Sequence, residues 1–234
     1  MRIKVNFKAN NTILKNNLEI VSSYVHKCLG PNNKWHDEQS FYSVSQFLGG
    51  KFIGQTIVFN TSACFIISSP DIEFIGAFLE GIIKNKNVTK DINTLVYDSV
   101  EYINEEFYNG WNYFKTLSPF IIKKDKNGFY KLTDNNFQQD VENYLIKKLK
   151  AIKNSKKIEL ELNDFKVVIN EHQKNKVKNV FVKNIRNVAN ECQINIYTNK
   201  KVAELLYNIG IGQSTGIGFG TICKTENYKT LYQK

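Results

Sequence analysis

Gly210-Ile211-Gly212-Gln213-Ser214-Thr215-Gly216-Ile217-Gly218-Phe219-Gly220 is the stretch on which the reading of this chain turns. Its five glycines, spaced by two and four residues, leave backbone N–H groups open to an anionic backbone. The surroundings exclude the common phosphate-binding folds. A dinucleotide fingerprint requires a strand before the glycines, a helix after them and an acidic residue about 20 positions further on. Here Lys200–Tyr207 has a helical pattern, Ile217–Lys224 alternates like a strand, and the chain stops at Lys234. A P-loop closes on Gly-Lys-Ser/Thr, which is absent. Helix, glycine loop and last strand make a poor nucleotide pocket and a good grip on a nucleic-acid backbone.

Upstream of the loop, Phe120–Lys124 reads as a strand and Gly128–Thr133 as a hairpin arm. Asn136–Lys153 is a long helix with Phe137, Val141, Leu145 and Leu149 inward. Ile158–Leu162, Lys166–Ile169, Val177–Val182 and Gln193–Tyr197 read as strands. The first half has the same grammar. Arg2–Lys8 is a strand with Ile3, Val5 and Phe7 on one face, and Asn16–Leu29 is a helix stopped by Gly30-Pro31. Phe41–Phe47 and Lys51–Ser68 are strands, the latter broken at Asn60-Thr61; Asp71–Lys84 is a helix and Leu95–Ile103 a strand. The β-α-β-β-α-β order is that of a ferredoxin-like unit. The expected fold is α+β: two tandem ferredoxin-like (RRM-like) domains with a C-terminal glycine-rich loop. The boundary falls between Asn109 and Pro119, giving residues 1–112 and 113–234, and no sequence repeat accompanies the architectural one.

The net charge is +10 in 234 residues, and it is unevenly spread. Residues 1–110 hold 10 Lys and Arg against 11 Asp and Glu, whereas residues 111–234 hold 22 against 11. A neutral half joined to a basic one points to a polyanion held by the second half. Only Arg2 and Arg186 are arginines, so diffuse phosphate neutralisation by lysine is expected rather than bidentate reading of guanine edges. Cys28, Cys64, Cys192 and Cys223 are far apart with no CxxC pair, which argues for free thiols in a cytoplasmic protein and against zinc. No apolar run approaches a membrane span, and the N-terminus lacks the apolar stretch of a signal peptide.

Three segments carry a resemblance. Trp35-His36-Asp37 followed by Phe41-Tyr42-Ser43-Val44-Ser45-Gln46-Phe47 resembles a histidine loop and the Ser-x-Ser strand after it. Phe114-Lys115-Thr116-Leu117-Ser118-Pro119-Phe120 resembles an inter-domain Ser-Pro junction, and the glycine stretch is similar to a C-terminal signature. In this order they resemble the Cas six family, the CRISPR-associated repeat-processing endoribonucleases of the RAMP superfamily. The sparse arginines depart from the arginine-based RNA recognition known in that family.

The resemblance implies metal-independent cleavage of precursor CRISPR RNA within each repeat. The RNA's own 2′-hydroxyl attacks the adjacent phosphorus, leaving a 2′,3′-cyclic phosphate and a 5′-hydroxyl, with no cofactor. His36 matches the family's catalytic histidine, and an imidazole suits proton transfer near neutrality. His26, on the first helix, is the second choice; His172 reads as an exposed turn. A lysine offsetting charge on the phosphorane is Lys51 or Lys34, and a tyrosine on the first helix is Tyr24, which reads equally as a core aromatic. For RNA binding the expected residues are Gly210, Gly212, Ser214, Gly216, Gly218 and Gly220, with Lys174, Lys176, Lys178 and Lys183 around a β-hairpin. Lys147, Lys148, Lys150, Lys153, Lys156 and Lys157 form a second cluster, equally read as complementing a helix dipole. The partner implied is CRISPR repeat RNA, alongside other effector-complex subunits and no membrane. The alternative is a non-catalytic RNA-binding subunit of a CRISPR effector complex. A stand-alone RNA-recognition module, with Phe41-Tyr42 or Phe129-Tyr130 stacking bases, is a third reading and leaves the glycine loop unexplained.

Overall fold

A computed structural model describes residues 1–15, 17–35, 40–54, 56–89, 94–124, 128–170 and 175–226. The first domain runs β1 (Arg2–Lys8), β2 (Thr12–Lys15), α1 (Asn17–Leu29), β3 (Ser43–Val44), β4 (Lys51–Ile53), β5 (Thr56–Phe59), β6 (Ser62–Ser68), α2 (Ile72–Lys84) and β7 (Val96–Tyr102). Its main sheet has the antiparallel order β3-β6-β1-β7. Numbered within the unit as strands 1 to 4, that is 2-3-1-4, the ferredoxin-like order. Alternation along β1 sends Ile3, Val5 and Phe7 to the helix side, where Phe7 stacks on Phe65 with centroids 5.6 Å apart. The 3.6-residue period of α1 buries Val21, Tyr24, Val25 and Cys28 against the same core. Helices α1 and α2 approach closely because Gly81 has no side chain: a Cβ there would lie 1.9 Å from the Cys28 carbonyl oxygen.

The second domain runs β8 (Gly110–Thr116), α3 (Phe137–Lys156), β9 (Lys166–Ile169), β10 (Lys176–Val182), β11 (Ile185–Glu191), β12 (Gln193–Thr198), α4 (Lys200–Ile209), a 3₁₀ turn (Thr215–Ile217) and β13 (Ile222–Lys224). Its sheet, β13-β8-β12-β9, repeats the 4-1-3-2 order. Each domain carries an extra hairpin between its second and third strands: β4–β5, joined by β2, in the first and β10–β11 in the second. The tight β10–β11 turn places Lys183 and Asn184 at φ 48° and 62°, the primed geometry that matches strand twist.

Several sequence expectations change. Residues 110–116, read as an interruption at the boundary, form β8, so the chain crosses between sheets over residues 103–109, ahead of the expected 112/113 division. The strand was hidden because its polarity is inverted: Trp111 and Tyr113 face solvent, while Asn112 is buried with its amide on the carbonyls of Tyr108 and Gly110. Ile158–Leu162 is not a strand; it folds back on the end of α3, where Lys153 Nζ donates to the Leu160 carbonyl at 3.1 Å. Phe120–Lys124 and Gly128–Thr133 make isolated bridges only. Ser43–Val44 alone pairs within 41–47, and the closing strand shrinks to Ile222–Lys224 because Thr215–Ile217 turns into the 3₁₀ segment.

Candidate functional site at the domain junction

The motif segments, far apart in sequence, meet where the two sheets join. Ser43 and Ser68 hydroxyls both reach the Asn208 carbonyl, at 3.1 and 2.9 Å, tying the Ser-x-Ser strand to the end of α4. The Gln46 N–H donates to the Ser118 hydroxyl at 2.9 Å, and Ser118 in turn donates its N–H to the Thr221 carbonyl. Thr215 Oγ1 donates to the Tyr42 carbonyl at 2.8 Å. Arg2 is buried: its guanidinium lies 3.4 Å over the Tyr207 ring and donates to the carbonyls of Ile222 and Tyr207, joining β1 to β13 and α4. A buried cation survives there because the ring face and the carbonyls replace water.

The glycine loop is the keystone of this junction, and its glycines do a different job from the one expected. Gly210, Gly212, Gly216, Gly218 and Gly220 are all buried. The N–H groups of Gly210, Gly218 and Gly220 are spent on the carbonyls of Leu206, Thr215 and Pro119. A Cβ at Gly220, at φ +68°, would stand 1.8 Å from the Ile211 carbonyl oxygen; one at Gly218 would stand 2.7 Å from Leu18 of α1. A Cβ at Gly216 would stand 2.7 Å from both the Ser40 and Tyr42 hydroxyls. The glycines therefore permit close packing of protein on protein rather than of RNA on open amides. Only Gln213, Ser214 and Ile217 of the loop reach solvent, and the Gln213 side chain accepts from the Lys123 N–H at 3.2 Å.

The first turn of α1 is the second hub. Asn17 Oδ1 accepts the Phe47 N–H at 2.9 Å, and Leu18 packs with Ile121, Ala189 and Phe219. Glu19 accepts the Lys183 N–H, docking the β10–β11 tip on α1. Val180 and Val182 of β10 pack under the same cluster. The hairpin is thus fixed across the junction, with Lys176 and Lys183 exposed and Lys178 paired to Glu191 at 2.6 Å.

Of the expected site residues, His36 and Lys174 lie outside the described residues, as do Asp37 and His172. Trp35 and Ser40, on either side of residues 36–39, are described. Trp35 donates through Nε1 to Asp71, the N-cap of α2, at 2.8 Å, and packs edge-on against Phe74; Ser40 lies against Gly216. Lys51 is exposed at the start of β4, four residues beyond Phe47. Tyr24 is a correction. It is 1 % exposed, its hydroxyl donates to the Asn85 carbonyl at 2.8 Å, and burial raises its pKa far above the phenol range. Tyr24 is thus placed as a core aromatic, with its hydroxyl committed to the Asn85 carbonyl. Lys148 is the second correction: instead of facing RNA it is buried, donating to Gly210 and Gly212. Its position beside Leu149, on the inward stripe of Val141 and Leu145, was the overlooked signal. Lys147, Lys150, Lys153, Lys156 and Lys157 of that cluster are exposed. His26 is half-buried in the last turn of α1, away from the glycine loop's contacts on the first turn. All four cysteines are free and buried, and among the described residues no three His, Cys, Asp or Glu gather as a metal site. Among the described residues no helix is long and apolar enough to cross a membrane.

The sequence pattern of the family described as CRISPR associated protein Cas6, C-terminal, matches residues 102–223, spanning β8 to β13. The chain belongs to the Cas6 family. Solved Cas6 structures share the fold over nearly its whole length. A Cas6-related protein from Pyrococcus furiosus matches with TM-score 0.81 and 21% identity, over 97% of this chain and 98% of its own. A RAMP protein described as binding different RNA substrates matches with TM-score 0.80 and 20% identity, over 96% and 99%. A Cas6 product complex matches with TM-score 0.65 and 12% identity, over 95% and 99%. Likeness at these identities is of fold: two tandem ferredoxin-like units, as the sheet orders show independently. A search of the curated proteins finds no match.

Proposed function

We propose that this Cas6 chain cleaves precursor CRISPR RNA within its repeats, by attack of the RNA's own 2′-hydroxyl and without a metal ion. The observation that carries the reading is the convergence of the residue 40–47, 114–120 and 210–220 segments on one junction in a chain of this family. In the proposed step a bond forms from the 2′-oxygen to phosphorus and the bond to the 5′-oxygen breaks. The 2′-hydroxyl loses its proton and the departing 5′-oxygen gains one. His36, bracketed by Trp35 and Ser40, is assigned that proton transfer, and Lys51 the offset of charge on the phosphorane. Ser214 at the solvent edge of the glycine loop, with Lys174, Lys176, Lys178 and Lys183 of the hairpin region, is assigned to the RNA backbone. The fixed docking of that hairpin on α1 supports the assignment, since phosphates held on β10 are then held in register with the junction.

The test uses repeat RNA from the protein's own locus. Cleavage should persist in EDTA and vanish when the nucleotide upstream of the break is 2′-deoxy. Activity that returns only with magnesium, or cutting of the deoxy substrate, refutes the internal nucleophile. Tight binding of an intact, never-cleaved repeat establishes the non-catalytic subunit instead.

A further inference from the structure

We propose that the open face of the second-domain sheet is a separate site for unpaired RNA bases, with Trp111, Tyr113 and Tyr197 as stacking platforms. It rests on reading the chain as an RNA-binding protein and is independent of cleavage. The order β13-β8-β12-β9 puts β8 and β12 side by side in the middle of the sheet. Trp111 and Tyr113 are two residues apart on β8 and so share a face; Tyr197 on β12 is directly across from Trp111, and Asn195 across from Tyr113. The Trp111 and Tyr197 rings meet edge to face at 5.3 Å. All three are open to solvent, at 41%, 56% and 37%.

The opposite face of these strands is the core, where Phe114, Ile194 and Ile196 are fully covered. The three outward rings therefore lend nothing to that core. Polar groups suited to RNA surround them. A groove of about 530 Å³ runs beside Trp111 and Tyr113, lined by the amides of Asn170, Gln193 and Asn195, which offer donors and acceptors to base edges. Lys115 follows Tyr113 at the next position of the same face, and Lys166 pairs across from Tyr197. The basic residues of the second half complement phosphate. Glu226 closes one end of the groove, and Tyr108 beside it has its hydroxyl on Glu106 at 2.8 Å, so the stacking surface ends there. Exposed rings on adjacent central strands, amides between them and lysines at the edge fit single-stranded RNA, whose base faces are free, and not a duplex, whose base faces are stacked away.

Trp35 and Trp111 are the only tryptophans, so Trp35→Phe makes Trp111 the sole reporter. An eight-nucleotide single-stranded RNA unrelated to the repeat should quench its fluorescence saturably, and a duplex of equal length should do so at least about tenfold more weakly. In the wild-type background, Trp111→Ala and Tyr197→Ala should each weaken binding of the labelled single strand by about fivefold or more, while Trp111→Phe retains most of it. His36→Ala should bind this RNA like wild type, so an inactive junction and an absent stacking face give different results. Equal quenching by duplex, or unchanged affinity in both alanine variants, overturns the proposal. Concentration-dependent self-association that Trp111→Ala abolishes overturns it too, assigning the face to a second protein copy.

Discussion

Lys148 donates through Nζ to the main-chain carbonyl of Gly210 at 2.9 Å, from the buried side of α3 to the first residue of the glycine loop. The same ammonium donates to Gly212 at 3.0 Å, so one cation gathers two carbonyls that converge where the loop leaves α4. Among the described residues no carboxylate is among its bonded partners. Desolvation alone lowers its pKa to about 7 from 10.5.

That shift predicts a pH dependence with a definite sign. Between pH 7 and 10.5 the unfolded chain keeps this proton and the folded chain releases it, so its contribution to stability rises with pH there and is flat below. The buried thiols work in the opposite direction above pH 9, since burial raises Cys192 and Cys223 to about 12. The clean observable is therefore the difference in unfolding free energy between wild type and Lys148→Met from pH 6 to 9. It should be level below pH 7 and then move in favour of wild type by up to about 1.4 kcal/mol per pH unit. A difference that stays constant over this range means that the ammonium remains charged in the fold.

The glycine loop should respond to substitution through packing. Gly220→Ala forces a methyl group into the Ile211 carbonyl at a positive φ and should cost more than about 2 kcal/mol, read as a lower denaturation midpoint. Gly54→Ala has the same sign of φ but open space around it, and should cost about 1 kcal/mol. Equal effects of the two variants would show that the loop yields where the geometry says it is wedged.

The legible part of this chain was whatever obeyed a simple period. Strands β1, β9 and β12 and helices α1, α2 and α4 emerge from alternation or from the 3.6-residue stripe because each has one apolar face. Strand β8 was missed because its rings point outward and an asparagine points inward, which inverts the signal. For the glycine loop the sequence marked where backbones come close but not what comes close. A glycine at positive φ reads the same whether its neighbour is a phosphate or, as at Gly218, Leu18 from 200 residues away in sequence. Tyr24 shows the same limit: residue type suggested chemistry, while burial among Phe7 and Phe65 decided for packing.

The hairpin lysines should separate by their partners. Lys176 is exposed with no carboxylate paired to it among the described residues, so Lys176→Ala should reduce the slope of log affinity against log salt by about 0.7–0.9. Lys178 is held by Glu191, and Lys178→Ala should change that slope less, because a lysine already paired to a carboxylate binds RNA phosphate without releasing a full counterion. Equal slopes for the two variants would mean that the ion pair opens when RNA binds.

The last prediction concerns the proton-transfer group. His36→Ala should reduce repeat cleavage by at least about a hundredfold, the usual effect of removing a positioned acid or base, while repeat affinity stays within a few-fold. Affinity is spared because the first half of the chain is nearly neutral and the lysines that neutralise phosphate lie in the second. His26→Ala is the control. Its α1 position is in the last turn, whereas the glycine loop and the hairpin dock on the first, so its removal should alter cleavage by less than about tenfold. Tyr24→Phe keeps the buried ring and deletes only the bond to Asn85, so it should lower stability modestly and leave the cleavage rate within a few-fold. Cleavage that depends on Tyr24 or His26 and survives the loss of His36 would move the reacting phosphate to the far end of α1.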